Sequence, residues 1–313
     1  AELNLRAAID QTFEGHLNVS AHDDTGLFEI WLREAWVGSS TLIPHSQLRV
    51  GRFALGVGQL NQVHQHDWPF ISAPKEHRVF FALDQSVDEG LEITTPLWGR
   101  SAPSEILLTA GVTNGYCYGH CIDSSGAKPR VPVHYLRPSL ILAGENRLSG
   151  TEFALDYLGY TDADAQLSQL MGFDFVHKSL RLDQTGFVVQ SEAYFRQLEP
   201  KDLHAVRQYG AYLFAAYTFT PEWTAGLRLD AFTEPTLLND AGQKRANLDC
   251  AAVPLASYRF SPSSQLRASY TYLKETRSAQ ADFTEQRFEI QLLTQFGPEN
   301  ATEKLADFFH ARP

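Results

Sequence analysis

The residues best able to bind or transfer something are concentrated between Val57 and Asp88. His64, His66, Asp67, Trp68, Glu76, His77 and Arg78 fall there, with His45 a short way upstream. In an extended segment, imidazoles at i and i+2 project to the same side, so His64 and His66 could share a transition metal such as zinc or copper. Asp67 or His77 would complete the shell. The competing explanation is hydrogen bonding within a loop, because the chain carries 11 histidines and a bare His-x-His has little spacing specificity. Cys117-Tyr118-Gly119-His120-Cys121 fits neither haem attachment nor a Cys-x-x-Cys redox pair. Cys117 and Cys121 could form a disulfide in an oxidising compartment or remain two free thiols. The chain has no Gly-x-Ser-x-Gly elbow and no phosphate-cradling glycine loop, so an enzyme is not expected.

Any element that positions these groups must be extended. In Ser264–Lys274, Leu266, Ala268, Tyr270 and Tyr272 alternate with Gln265, Arg267, Ser269 and Thr271. Glu222–Phe232 and Arg287–Phe296 alternate in the same way. Period two over about ten residues predicts strands with two unlike faces, long enough to cross a bilayer at a tilt. The polar face carries charges at mid-strand. Aromatic rings gather where strands end: Tyr217 and Phe219 before Pro221, Trp223 after it, and Tyr258 and Phe260 before Pro262. Rings at headgroup level are the girdle of a membrane barrel. Short links such as Thr220-Pro221-Glu222 and Ser261–Ser264 contrast with long polar connections at 115–131, 198–206 and 233–249. That asymmetry is the one expected between periplasmic turns and extracellular loops.

These patterns predict an all-β, transmembrane, antiparallel up-and-down β-barrel over 1–296 and a tail over 297–313. Leu305, Phe308 and Phe309 give the tail helical spacing. Fifteen strands are counted, near 2–10, 13–20, 27–38, 46–57, 89–97, 105–114, 134–143, 150–160, 167–178, 186–197, 208–219, 222–232, 251–260, 264–275 and 284–296. Bacterial single-chain barrels have even strand numbers, so about 16 are expected, and His77–Asp84 is the natural place for one more. The chain opens at Ala1 without a secretory leader, as a mature or trimmed form is expected to. Its net charge of −11 disfavours nucleic acid as a partner and favours a cation-preferring lumen.

The segment Leu48-Arg49-Val50-Gly51-Arg52-Phe53, followed by Gly58-Gln59-Leu60-Asn61 and His64-Gln65-His66-Asp67-Trp68, resembles a largely uncharacterised family of porin-like outer-membrane proteins of Gram-negative bacteria. Leu32–Trp36, Asp88–Glu92, Phe173–Val176, Ser191–Phe195 and Arg259–Ser263 extend the likeness through most of the chain. The resemblance implies an integral outer-membrane barrel in contact with lipid and lipopolysaccharide. Members of that family tend to begin one strand earlier and to end in a histidine-rich tail. This chain runs instead through Gly297-Pro298-Glu299-Asn300 to His310.

The function expected is passive diffusion of small polar solutes or ions, through a monomer or homotrimer. Glu192, Arg196, Arg228, Asp230, Arg267, Arg287 and Glu289 would line the lumen if the aromatic faces meet lipid. The long connection 57–88 would fold inward as a constriction or else cover the mouth as a lid. Two other readings remain: a structural sheath around a partner in an envelope complex such as an electron conduit, and metal-ion uptake through the histidine loop.

Overall fold

The computed structural model describes residues 2–24, 27–81, 85–99, 104–115, 131–144, 149–161, 167–199, 206–233, 237–238, 244–245, 248–276 and 282–295. Cys117, Cys121 and the tail 297–313 lie outside the described residues.

Alternating sequences become long strands here because each has one face for lipid and one for the interior. The strands are β1 (Glu2–Ala8), β2 (Glu14–Asp24), β3 (Leu27–Ser39), β4 (Gln47–Ala54), β5 (Val87–Trp98), β6 (Ser104–Thr113), β7 (Val131–Ala143), β8 (Ser149–Thr161), β9 (Leu167–Leu180), β10 (Gly186–Glu199), β11 (Val206–Thr218), β12 (Trp223–Thr233), β13 (Leu237–Leu238), β14 (Lys244–Arg245), β15 (Leu248–Ser261), β16 (Ser264–Thr276) and β17 (Phe283–Thr294). All but β13 and β14, which form their own small hairpin, join one 15-stranded sheet in chain order. The 9–10 pair runs without a slip from Gly186 opposite Leu180 to Glu199 opposite Leu167.

Turn chemistry sets that register. Between β9 and β10, Asp183 accepts from the Thr185 amide (2.9 Å) and hydroxyl (2.7 Å), and the Arg181 amide donates to the Thr185 carbonyl at 2.8 Å. Most links on this end are similarly short. The opposite end carries the long connections, although β2 and β3 are separated there by only residues 25–26.

Outward positions are apolar. Phe288, Ile290 and Leu292 on β17 are 66%, 64% and 63% exposed, as lipid-facing side chains of an isolated barrel must be. The aromatic girdle at the short-turn end is present: Tyr217 packs on Phe219 with ring centroids 5.0 Å apart, and Trp223 on Tyr258 at 4.6 Å. Other aromatic rings turn inward, so the condition that aromatic faces meet lipid holds for only part of them. Tyr135, Tyr194, Tyr212, Phe214 and Phe232 are buried inside the barrel. The connection between β4 and β5 gives them apolar partners there.

That connection also corrects the proposed extra strand at 77–84 over its described part, 77–81; residues 82–84 lie outside the described residues. Lys75–Phe81 is a short helix, α1. It buries Glu76, His77, Phe80 and Phe81 on one side, and Arg78 is exposed. The count of 15 therefore stands for the strands of the large sheet among the described residues, with β13 and β14 outside it. Neighbours are antiparallel throughout, so β1 and β17, the first and last members, run in the same direction. They cannot pair with each other antiparallel. Even-numbered closure takes one further strand antiparallel to both.

Candidate channel constriction

The segment from Leu55 to Ser86 lies inside the barrel over its described residues, 55–81 and 85–86. It opens with buried Leu55, Val57 and Leu60, passes through two 3₁₀ turns at Leu60–Gln62 and Gln65–Asp67, and ends with α1. Its own polar groups organise it. The Trp68 indole donates to the Leu60 and Val63 carbonyls, both at 3.0 Å, and Asn61 donates to Leu55 O (2.8 Å) while accepting from the Ser86 amide (2.6 Å). Gly58 is required where the segment turns. Its φ is +73°, and a Cβ there would sit 2.7 Å from the Tyr194 hydroxyl. Gly210 on β11 makes room for the helix, because a Cβ there would lie 2.2 Å from the Glu76 Cβ.

Wall strands hold the segment on many sides. Asp156 on β8 accepts from the Gly58 amide at 3.1 Å, and Glu192 on β10 accepts from the Leu60 amide at 2.8 Å. Arg196 on β10 donates to Val79 O (3.3 Å), Arg267 on β16 to Trp68 O (2.8 Å), and Arg228 on β12 to Ser72 O. Lys75 pairs with Asp249 on β15. At the other extreme, His64 sits between Glu2 on β1 (3.0 Å) and Glu34 on β3 (3.2 Å), and His66 lies 3.2 Å from Glu2. One segment touching both edges and the middle of the sheet requires the sheet to be curled around it. Apolar burial adds to these bonds. Phe53, Leu55, Val57, Phe80 and Phe81 pack on Tyr135, Leu158, Tyr194 and Phe232. Leu60, Trp68 and Phe70 pack on Tyr212, Phe214 and Leu255.

Beneath the segment lies a buried ionic cluster centred on Arg137, a residue with no role expected from the sequence. Arg137 on β7 is fully buried and donates to Asp156 (3.0 Å), to Asp174, and to Glu152 and Gln59 (3.3 and 3.1 Å). Tyr194 and Tyr212 donate to Glu192, the latter at 2.9 Å. At the root of the segment, Arg49 pairs with Glu92 at 2.7 Å and donates to Ala54 O at 2.8 Å. The signal for these residues was a charge in every inward row of β4–β10, but sequence gives no means of telling which rows the segment covers.

The expected constriction residues therefore divide. Trp68, Glu76 and His77 are buried in the packing between segment and wall. Arg78 is exposed, and His64, His66 and Asp67 are partly accessible. The expected lumen residues divide as well. Glu192, Arg196, Arg228 and Arg267 hold the segment down. Asp230 receives Arg228 through two bonds of 2.8 and 3.0 Å. Arg287 and Glu289 on β17 face inward and stay accessible. His64 and His66 stack with ring centroids 5.5 Å apart, but His77 packs elsewhere, against Trp68 at 4.9 Å. Among the described residues, no group of three or more His, Cys, Asp or Glu side chains is placed to hold a metal ion. Cys250, in β15, is a free thiol on an exposed position.

No family model matches the chain. An uncharacterised protein of Aquifex aeolicus (strain VF5) is 23% identical over 263 residues, which is 76% of this chain and 54% of that protein. The chain thus spans about half the length of the curated relative it matches. Solved structures match the fold along nearly the whole chain at low identity. The outer membrane channel DcaP of Acinetobacter baumannii gives a TM-score of 0.61 at 9% identity, covering 94% of this chain and 84% of that one. The anion-selective porin of Comamonas acidovorans gives 0.60 at 10%, covering 93% and 87%. A loop-deletion form of OmpT, an outer membrane protein of Vibrio cholerae, gives 0.60 at 10%, covering 94% and 89%. The chain is an integral outer-membrane β-barrel with the porin fold.

Proposed function

We propose that this protein is a passive channel for small polar solutes and ions, narrowed by the segment Leu55–Ser86. The observation that carries the reading is the uneven packing of that segment. It seals the wall from β7 to β12, where the Arg137 side chain is 0% exposed, and leaves the β17 side accessible, where Arg287 and Glu285 are 39% and 38% exposed. A polar passage along β16, β17 and the Arg78 side of α1 follows from this. The net charge of −11 favours cations in the field around the barrel. The strongest acidic group, around Arg137, lies under the segment, so it contributes little to the passage itself.

Loaded liposomes provide the test. The purified protein is expected to let small sugars through at rates that fall steeply with solute size. Swelling no faster than in protein-free liposomes overturns the proposal. A homotrimer is the proposed assembly, since OmpT of Vibrio cholerae is described in a trimer form. The sheath reading is less well supported, because the protein's own segment occupies space a partner would need. Metal uptake is less well supported too, because carboxylates already engage His64 and His66.

A further inference from the structure

Between α1 and the inner faces of β12, β15, β16 and β17 lies a cavity of about 50 Å³. Several of the side chains lining it are charged, and these charges are unevenly paired. Lys75 is held by Asp249, and Arg228 by Asp230. Arg287 is held loosely, with Glu285 at 3.6 Å, Glu289 at 3.3 Å and the Ser72 hydroxyl at 3.5 Å. The Arg78 amide donates to Pro74 O at 3.2 Å, but its guanidinium has no hydrogen-bond or ion-pair partner among the described residues, and it shares the cavity with Arg287. Two guanidiniums that share a small cavity repel each other. Arg78 is exposed on one side, and partial desolvation at the cavity, followed by the charges of Arg287 and Arg228, pulls the pKa of its guanidinium below the ordinary value.

A second, independent feature points into the same space. Thr271 on β16 lines the cavity at 6% exposure, and its hydroxyl has no hydrogen-bond partner among the described residues. Leaving a buried hydroxyl without a partner is costly, so such a group is satisfied by something in the space it faces. The cavity exceeds the roughly 30 Å³ share of one liquid water, so a group of a few heavy atoms fits.

The geometry points to an oxyanion subsite in the passage: Arg78 and Arg287 clamp a small carboxylate or phosphate, and Thr271 donates the third hydrogen bond. Guanidinium forks match both anions through paired N–H donors, and a bound anion removes the repulsion between the two arginines. This inference deepens the channel reading and rests on it: a solute with a carboxylate or phosphate head would pause here on its way through.

Calorimetric titration of the detergent-folded protein with inorganic phosphate, and separately with acetate, tests the site, and single-channel recording is run in parallel. Saturable binding of one anion or both is expected, and which one binds distinguishes phosphate from carboxylate solutes. Binding should weaken at least tenfold in the double variant Arg78→Gln/Arg287→Gln. It should weaken a few-fold in Thr271→Val, which keeps the side-chain shape and so guards against a folding artefact. Added anion should also reduce the current through wild type more than through the double variant. No saturable binding in wild type, or equal binding in the double variant, overturns the subsite even where channel steps persist. Binding that behaves as expected without any channel steps supports the subsite and removes the channel reading alone.

Discussion

At the scale of single residues, side chains inside this barrel do two different jobs. Trp68 illustrates the first. It is fully buried, donates to two carbonyls and contacts Phe70 with ring centroids 6.2 Å apart. Trp68→Ala is expected to destabilise the protein by about 3–5 kcal/mol, measured by denaturant unfolding of the detergent-folded barrel. Glu76 sets a pH dependence. Its carboxyl is fully buried with both oxygens unpartnered among the described residues. Burial, reinforced by the charge on Asp230, pushes its pKa well above the ordinary 4.5. A group with a raised folded value stabilises fully below the unfolded pKa and loses that contribution as pH climbs through the folded one. Thermal stability should therefore decline as pH rises above about 4.5, and Glu76→Gln should flatten the decline. An unchanged slope in that variant would remove Glu76 from the account. Sequence supplied the residue types at these positions but not their roles. Arg228 and Arg267 read as lumen lining because strand periodicity gives the inward face, whereas their acceptors, Ser72 O and Trp68 O, are 156 and 199 residues away in the chain.

At the scale of elements, the strands were the most legible part. Alternation is written along the sequence itself, so boundaries such as Ser264 and Gly186 fall where the pattern and its turn residues put them. The segment between β4 and β5 was legible only as long and rich in unusual side chains. Its apolar residues Leu60, Trp68 and Phe70 have partners on distant strands, and no local period marks them. Val79, Phe80 and Phe81 look like a strand because β-branched and aromatic residues favour strands, yet packing against Tyr194 and Phe232 takes them into a helix. The wall bonds predict how firmly this element is held. Arg228→Ala removes the donor to Ser72 O and also leaves Asp230 without its partner. Limited proteolysis in the 68–74 stretch should then proceed several-fold faster than in wild type. Equal rates would show that the apolar contacts hold the segment without it.

At the scale of the whole molecule, the barrel explains why a chain with a net charge of −11 and, among the described residues, no helix long and apolar enough to cross a membrane can live in one. Lipid meets Phe288, Ile290, Leu292 and their equivalents, and the charges turn inward. The fold was therefore readable from one face of each strand. The shape of the passage was not, because it depends on which inner rows one segment covers. The central claim is that this segment narrows a water-filled lumen. Single-channel recording in planar bilayers, comparing wild type with a deletion of residues 61–74, tests it most directly. Discrete steps from wild type and steps several-fold larger from the deletion are the predicted result. The same step size in both, or no steps from either folded protein, would contradict it.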